Sequence, residues 1–160
     1  MHVVGVLSEK GGSGKTTIAT NLATAFHLDG ADTLLVDADP QGTARDWGAA
    51  SDADTPVVAG VDRPSLDEDV PRLGSRFDTV VIDGAPRLHE VLVSAVQASD
   101  LVLVPVRPSA ADIWSAETII KACRAYGVPA RFVVSAQVVG TALAGSVQDA
   151  LESFDVHVLN

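Results

Sequence analysis

The chain has 160 residues, 47% of them apolar, and 21 acidic against 11 basic side chains give a formal charge of −10. That composition suits one globular unit with a sizeable core and excludes a disordered chain. A single cysteine, Cys123, excludes an internal disulfide or a multi-cysteine metal site, and the acidic balance argues against a strong nonspecific hold on nucleic acid.

In chain order, His2 to Leu7 reads as a buried strand, and Gly14 to Leu28 as a helix with Ile18, Leu22, Ala25 and Phe26 on one face. Gly30 stops that helix. Thr33 to Val36 is a strand ending at Asp37, Thr43 to Ala49 a short helix, and Pro56 to Ala59 a minor edge strand. Leu66 to Leu73 reads as a helix disturbed by Pro71. Thr79 to Ile82 is a strand ending at Asp83, followed by a helix over Leu88 to Ala98 and a strand over Leu101 to Val106. Ala110 to Tyr126 is a helix closed by Gly127 and Pro129. The chain then runs through a strand over Arg131 to Val134, a helix over Thr141 to Phe154 and a last strand over Val156 to Leu159.

Strands that are apolar throughout, alternating with helices, imply an α/β fold with a mostly parallel sheet covered by helices on both faces. The whole of residues 1–160 reads as one domain. Ligands of such sheets bind beyond the carboxyl ends of the strands. Those ends carry Ser8 and a glycine loop, Asp37-Ala38-Asp39, Asp83, and Arg107-Pro108-Ser109.

The loop Lys10-Gly11-Gly12-Ser13-Gly14-Lys15-Thr16-Thr17 departs from the usual G-x-x-x-x-G-K-[ST], because Glu9 stands where the first glycine belongs and a second cation, Lys10, precedes the glycines. Backbone N–H groups of Gly11, Gly12, Ser13 and Gly14 can converge on a phosphate, helped by the helix that follows. Lys15 can reach the β- and γ-phosphates of ATP or ADP, Thr16 can ligate Mg²⁺, and Thr17 can bond the α-phosphate. Asp83 is placed to hold a water of that Mg²⁺. Asp39, the further of two carboxylates beyond the second strand, can orient attacking water or stand near the metal.

This loop resembles the deviant Walker A phosphate loop of the ParA/MinD ATPases, a branch of the P-loop NTPases. Asp37-Ala38-Asp39-Pro40-Gln41-Gly42 resembles their first switch, and Phe77 to Pro86 their metal-site strand and second switch. Ser99 to Val106 with Pro108-Ser109 resembles the later strand and proline loop of short plasmid-partition ParA proteins. The resemblance runs in order from residue 2 to about 154. It implies an ATP hydrolase that forms a homodimer with ATP sandwiched between subunits and acts in plasmid or chromosome partition. Lys10 then crosses to the partner's nucleotide, offsetting charge as an arginine finger does. A centromere-binding partition protein, ParB- or ParG-like, is the implied partner, with nonspecific DNA as a further ligand. The rival reading is a nucleotide-dependent interaction or regulatory module with negligible hydrolysis.

The short ParA-type relatives extend further at the C-terminus, and Ser135-Ala136 stands where they often place Asn or Thr, then Arg, near the adenine. No amphipathic C-terminal membrane helix of the MinD kind is seen, so the expected location is cytoplasmic and nucleoid-associated, with no membrane partner. His2, His27, His89 and His157 lack metal-ligand spacing. Trp47 and Trp114 are expected to pack, Trp114 having a dimer face as its alternative. Arg87 is equally suited to a partner contact and to solvent.

Overall fold

A computed structural model describes residues 1–51, 54–86, 89–136, 150–151 and 153–159. Seven strands, β1 (His2–Val6), β2 (Thr33–Asp37), β3 (Val57–Gly60), β4 (Thr79–Asp83), β5 (Leu101–Val106), β6 (Ala130–Val134) and β7 (Val158–Leu159), form one sheet in the order β3-β2-β4-β1-β5-β6-β7. Every pairing is parallel. Five helices are described: α1 (Lys15–Leu28), α2 (Thr43–Ala50), α3 (Leu66–Gly74), α4 (His89–Ala98) and α5 (Ala110–Tyr126).

The central strands are apolar on both faces because both faces are covered. In β4, Val80 and Ile82 join the core under α3, α4 and α5, which includes Leu66, Val70, Leu92, Val96, Ile119 and Ile120. Val81, between them, points to the opposite face and packs with Val6, Leu35, Leu103 and the α1 residues Ala19 and Ala23. The largest fully buried side chain is Phe132 of β6, whose ring meets Phe154 edge-on at 5.7 Å.

Several expectations need correction. The fully buried stripe of α1 is Ala19, Thr20 and Ala23; Ile18, Leu22 and Phe26 only flank it, and Ala25 is exposed. Small residues bring the helix close to the sheet, and the larger ones fill the margins. The helix α3 continues through Pro71, held by the fully buried Leu66 and Val70. Trp47 packs as expected beside the α1 core, whereas Trp114 is 72% exposed on α5. The expected helix over Thr141 to Phe154 and residue Arg87 fall largely or wholly outside the described residues, with 150 and 151 helical. Among the described residues, no helix is long and apolar enough to cross a membrane.

The sheet register sets up the site. Asp83 ends β4 directly opposite Asp37 of β2 on one side and Val6 of β1 on the other. Two carboxylates therefore stand side by side next to the point where β1 gives way to the glycine loop.

Candidate functional site at the strand ends

Gly12 and Gly14 have φ of +74° and +92°, the left-handed region that side chains disfavour, and this curls residues 10–14 over the start of α1. The first amide groups of α1 have no acceptor within their own helix and carry its positive dipole end. A cleft of about 260 Å³ opens there. Gly11, Gly12 and Gly14 to Thr17 line one side, and Asp39, Thr43 and Pro86 the other. A larger groove, about 560 Å³, shares no residue with this cleft; it carries Asp67 and Glu90 and no glycine loop.

Lys15 is buried, and its ammonium donates to the Lys10 carbonyl at 2.9 Å. Burial pushes its pKa down, with Asp83 and Asp39 pulling the other way. Asp83 is 1% exposed, and among the described residues neither carboxylate oxygen has a hydrogen-bond partner. Burial raises its pKa to about 6, against the nearby Thr16 hydroxyl, which lacks hydrogen-bond geometry; Asp37 adds to the rise. Buried carboxylates are normally satisfied, so this one calls for a cation or a hydrated cation.

Asp37 and Asp39 part company despite their period-two spacing. Asp37 is fully buried and structural: Oδ1 accepts from Asp39 N–H at 3.0 Å and Oδ2 from Arg45 N–H at 2.9 Å. Asp39 is half-buried at the cleft, with Oδ1 taken by Gln41 N–H at 2.9 Å.

Lys10 sits 37% exposed on the rim, its ammonium 3.5 Å from Asp112 Oδ1. Asp112 is 2% exposed and already holds Arg107 through Nε at 2.8 Å and Nη2 at 3.2 Å, and the Ser109 hydroxyl at 3.0 Å. Burial opposes ionisation there, but the Arg107 bonds outweigh it and bring the pKa down to about 2. Ser109 also caps α5, accepting from Asp112 N–H at 3.1 Å. Below the loop, Ser135 Oγ donates to Ser13 O at 2.8 Å, tying the end of β6 to the phosphate loop.

The arrangement thus brings Gly11, Gly12, Gly14, Lys15, Thr16, Thr17 and Asp39 around one cleft, with Asp83 buried beside Lys15 and Lys10 on its rim. Sequence reading missed Asp112 and Arg45. Ser109-x-x-Asp112 at a helix start was the available signal for the first; nothing local announced the second.

Residues 4–156 match the family described as the CobQ/CobB/MinD/ParA nucleotide binding domain. The chain belongs to this family. Among curated relatives, it is 40% identical over 114 residues to the maintenance of carboxysome distribution protein A of Gloeobacter kilaueensis, covering 70% of this chain and 52% of that protein. It is 31% identical over 114 residues to Protein ParA of Rhizobium radiobacter, covering 70% of this chain and 51% of that one. The chain spans about half the length of these relatives. In fold it is similar to apo McdA from Cyanothece, with TM-score 0.82, 15% identity, and coverage of 100% of this chain and 84% of that one. It is also similar to cobyrinic acid a,c-diamide synthase from Mycobacterium smegmatis with bound ATP analog and magnesium, with TM-score 0.79, 20% identity, and coverage of 100% and 85%.

Proposed function

We propose that this ParA/MinD-family domain binds and hydrolyses Mg-ATP, pairs with a second copy around the nucleotide, and uses that cycle to distribute an intracellular cargo. The observation that carries the reading is the pairing, at one cleft, of a buried lysine on a glycine loop with an unsatisfied buried carboxylate. The α1 amides and Lys15 bind the β- and γ-phosphates, with Thr17 at the α-phosphate. The residues fit magnesium, because the buried Asp83 carboxylate has no hydrogen-bond partner among the described residues and the Thr16 hydroxyl is near it: Thr16 and Asp83, with Asp39 near, would hold the ion with phosphate oxygens and waters. Bound magnesium would offset charge on the phosphates.

Asp39 Oδ2 makes no hydrogen bond within the described residues and is the group that orients the attacking water. Water oxygen bonds to the γ-phosphorus as the bond to the β–γ bridging oxygen breaks, leaving ADP and phosphate. Lys10 of a second copy lies against the γ-phosphate in the pair, so phosphate loss loosens it. Turnover without a stimulating partner is slow, because among the described residues no group poised as a strong base lines the cleft; a ParB- or ParG-like protein is the partner we infer for DNA cargo. Two relatives bear the name of a carboxysome distribution protein, which favours a protein-built cargo as the second reading.

The test is light scattering of the wild type and Lys10→Ala with ADP, ATP and a non-hydrolysable analogue, alongside phosphate release. The expected result is doubled mass with ATP and the analogue for wild type alone. Constant mass in every nucleotide would remove the pairing cycle, and ATP binding without phosphate release, even with the partner, would favour a non-hydrolysing interaction module.

A further inference from the structure

Arg45, in the first turn of α2, has no place in the phosphate chemistry just described, yet it touches both ends of the turn that carries Asp39. Its Nη2 donates to the Asp39 carbonyl at 3.1 Å, its Nε lies 3.5 Å from Asp37 Oδ2, and Nη2 lies 3.8 Å from Asp62 Oδ2 beyond β3. Its own N–H donates to Asp37 Oδ2 at 2.9 Å. Asp39 is thus gripped at both backbone groups: N–H by Asp37 at 3.0 Å, carbonyl by Arg45 and by Gly42 N–H at 2.9 Å.

The side chain lies in a slot that two glycines leave open. A Cβ on Gly42 would stand 3.1 Å from Nη2 and 3.2 Å from Nε, and one on Gly60 would stand 2.9 Å from both Cδ and Nη1. Gly60 is the β3 residue paired with Asp37 in the sheet, so the slot runs from the edge strand to the loop. Charge pairing alone would explain an arginine near Asp37 and Asp62. It does not explain the bond to a neutral carbonyl, which needs the planar fork of a guanidinium to be made together with the ion pair.

We propose that Arg45 is a positioning residue, a clamp seated between Gly42 and Gly60 that fixes the β2–α2 loop and so holds the Asp39 carboxylate in place at the cleft. The proposal rests on the ATPase reading of that cleft. A clamp acts on the alignment of water with phosphate, where small misplacements are costly, and leaves the phosphate loop untouched.

The test compares wild type, Arg45→Ala, Arg45→Lys and Gly60→Ala in steady-state phosphate release, ATP-dependent mass and amide hydrogen exchange of the nucleotide-free protein. Arg45→Ala is expected to lower kcat about tenfold with KM for ATP and ATP-dependent pairing little changed. Arg45→Lys keeps the charge, loses the fork and is expected to stay low. Gly60→Ala crowds the slot without removing charge and is expected to lower kcat in the same direction, serving also if Arg45→Ala does not fold. Amides of residues 39–42 should exchange about fivefold faster in Arg45→Ala. A kcat for Arg45→Ala within about twofold of wild type, or full activity in Arg45→Lys, overturns the clamp. If wild type releases no phosphate, the ATPase reading fails separately, and exchange decides the clamp: faster at residues 39–42 supports it, unchanged overturns it.

Discussion

Asp83→Asn removes a charge that the folded, nucleotide-free protein holds at a cost. Burial lifts the Asp83 pKa from the ordinary 3.8 to about 6. A rise of roughly two pH units, at about 1.4 kcal/mol each, makes the ionised carboxylate about 3 kcal/mol worse in the folded chain than in the unfolded one at neutral pH. Because the folded pKa is the higher one, the folded state binds the extra proton. Its contribution to stability is fully present below about pH 4 and is lost as pH rises through about 6. Asparagine keeps the shape but still lacks partners, a residual cost of about 1–2 kcal/mol. The net gain expected at pH 7.5 is therefore about 1–2 kcal/mol, or about 2–8 °C in Tm for a chain of this size. The assay is thermal unfolding by circular dichroism from pH 4.5 to 8, reading the difference between variant and wild type so that the general effect of the acidic surface cancels. The advantage of Asp83→Asn should grow between about pH 4 and 6 and then level off. Mg-ATP should stabilise wild type and much less the variant. A variant no more stable than wild type at pH 7.5, or a difference independent of pH, would refute the account of Asp83 as an unsatisfied buried anion.

Asp39→Ala should abolish phosphate release while ATP-dependent doubling of mass persists; loss of pairing would show that Asp39 shapes the interface instead. Phe132→Ala, at the largest fully buried side chain, should cost about 3–5 kcal/mol, read as a lower urea midpoint with an unchanged m-value. Ser109→Ala removes the α5 cap and one bond to Asp112, and should cost about 1 kcal/mol, or about 2–4 °C in Tm, with ATP affinity unchanged.

The strand ends were legible because two independent signals coincide there. Runs such as Val80-Val81-Ile82 demand a strand covered on both faces, and the Asp that ends the run must then emerge at the rim. The glycine loop was legible because its residues are contiguous, and α5 because Gly127 and Pro129 close it. Of the α1 face read by periodicity, Ile18, Leu22 and Phe26 do pack against the core and Ala25 does not, while close approach to the sheet selects Ala19 and Ala23. Trp114 was expected to pack, with a dimer face as the alternative, and stands exposed on α5. Asp39 was legible as the site carboxylate because it lies further beyond β2 than Asp37, but the grip of Arg45 on Asp37 and on the Asp39 carbonyl was not, because Arg45, Gly42 and Gly60 come from a helix, a turn and another strand. Contacts of that kind have no local signature. Asp112 has a local signature in its Ser109 cap, but its contact with Lys10 has none, arising only because β5 lies beside β1.

That last contact bears on why two lysines flank one glycine loop. In a single copy, Lys10 is held on its own chain, but weakly: its side chain is 37% exposed and its ammonium lies 3.5 Å from an Asp112 carboxylate that Arg107 and Ser109 already satisfy. Removing Lys10 leaves no orphaned buried charge, so the cost is that of an exposed pair, about 0–1 kcal/mol. A charge-assisted bond to a phosphate is stronger than that. The second link runs through the backbone, since the Lys10 carbonyl is what the Lys15 ammonium grips at 2.9 Å. An ammonium has three donors, so Lys15 can reach the phosphates while keeping that bond. Under the proposed reading, Lys15 then ties the backbone of residue 10 to the nucleotide, while the weakly paired side chain of Lys10 is free to leave for the partner.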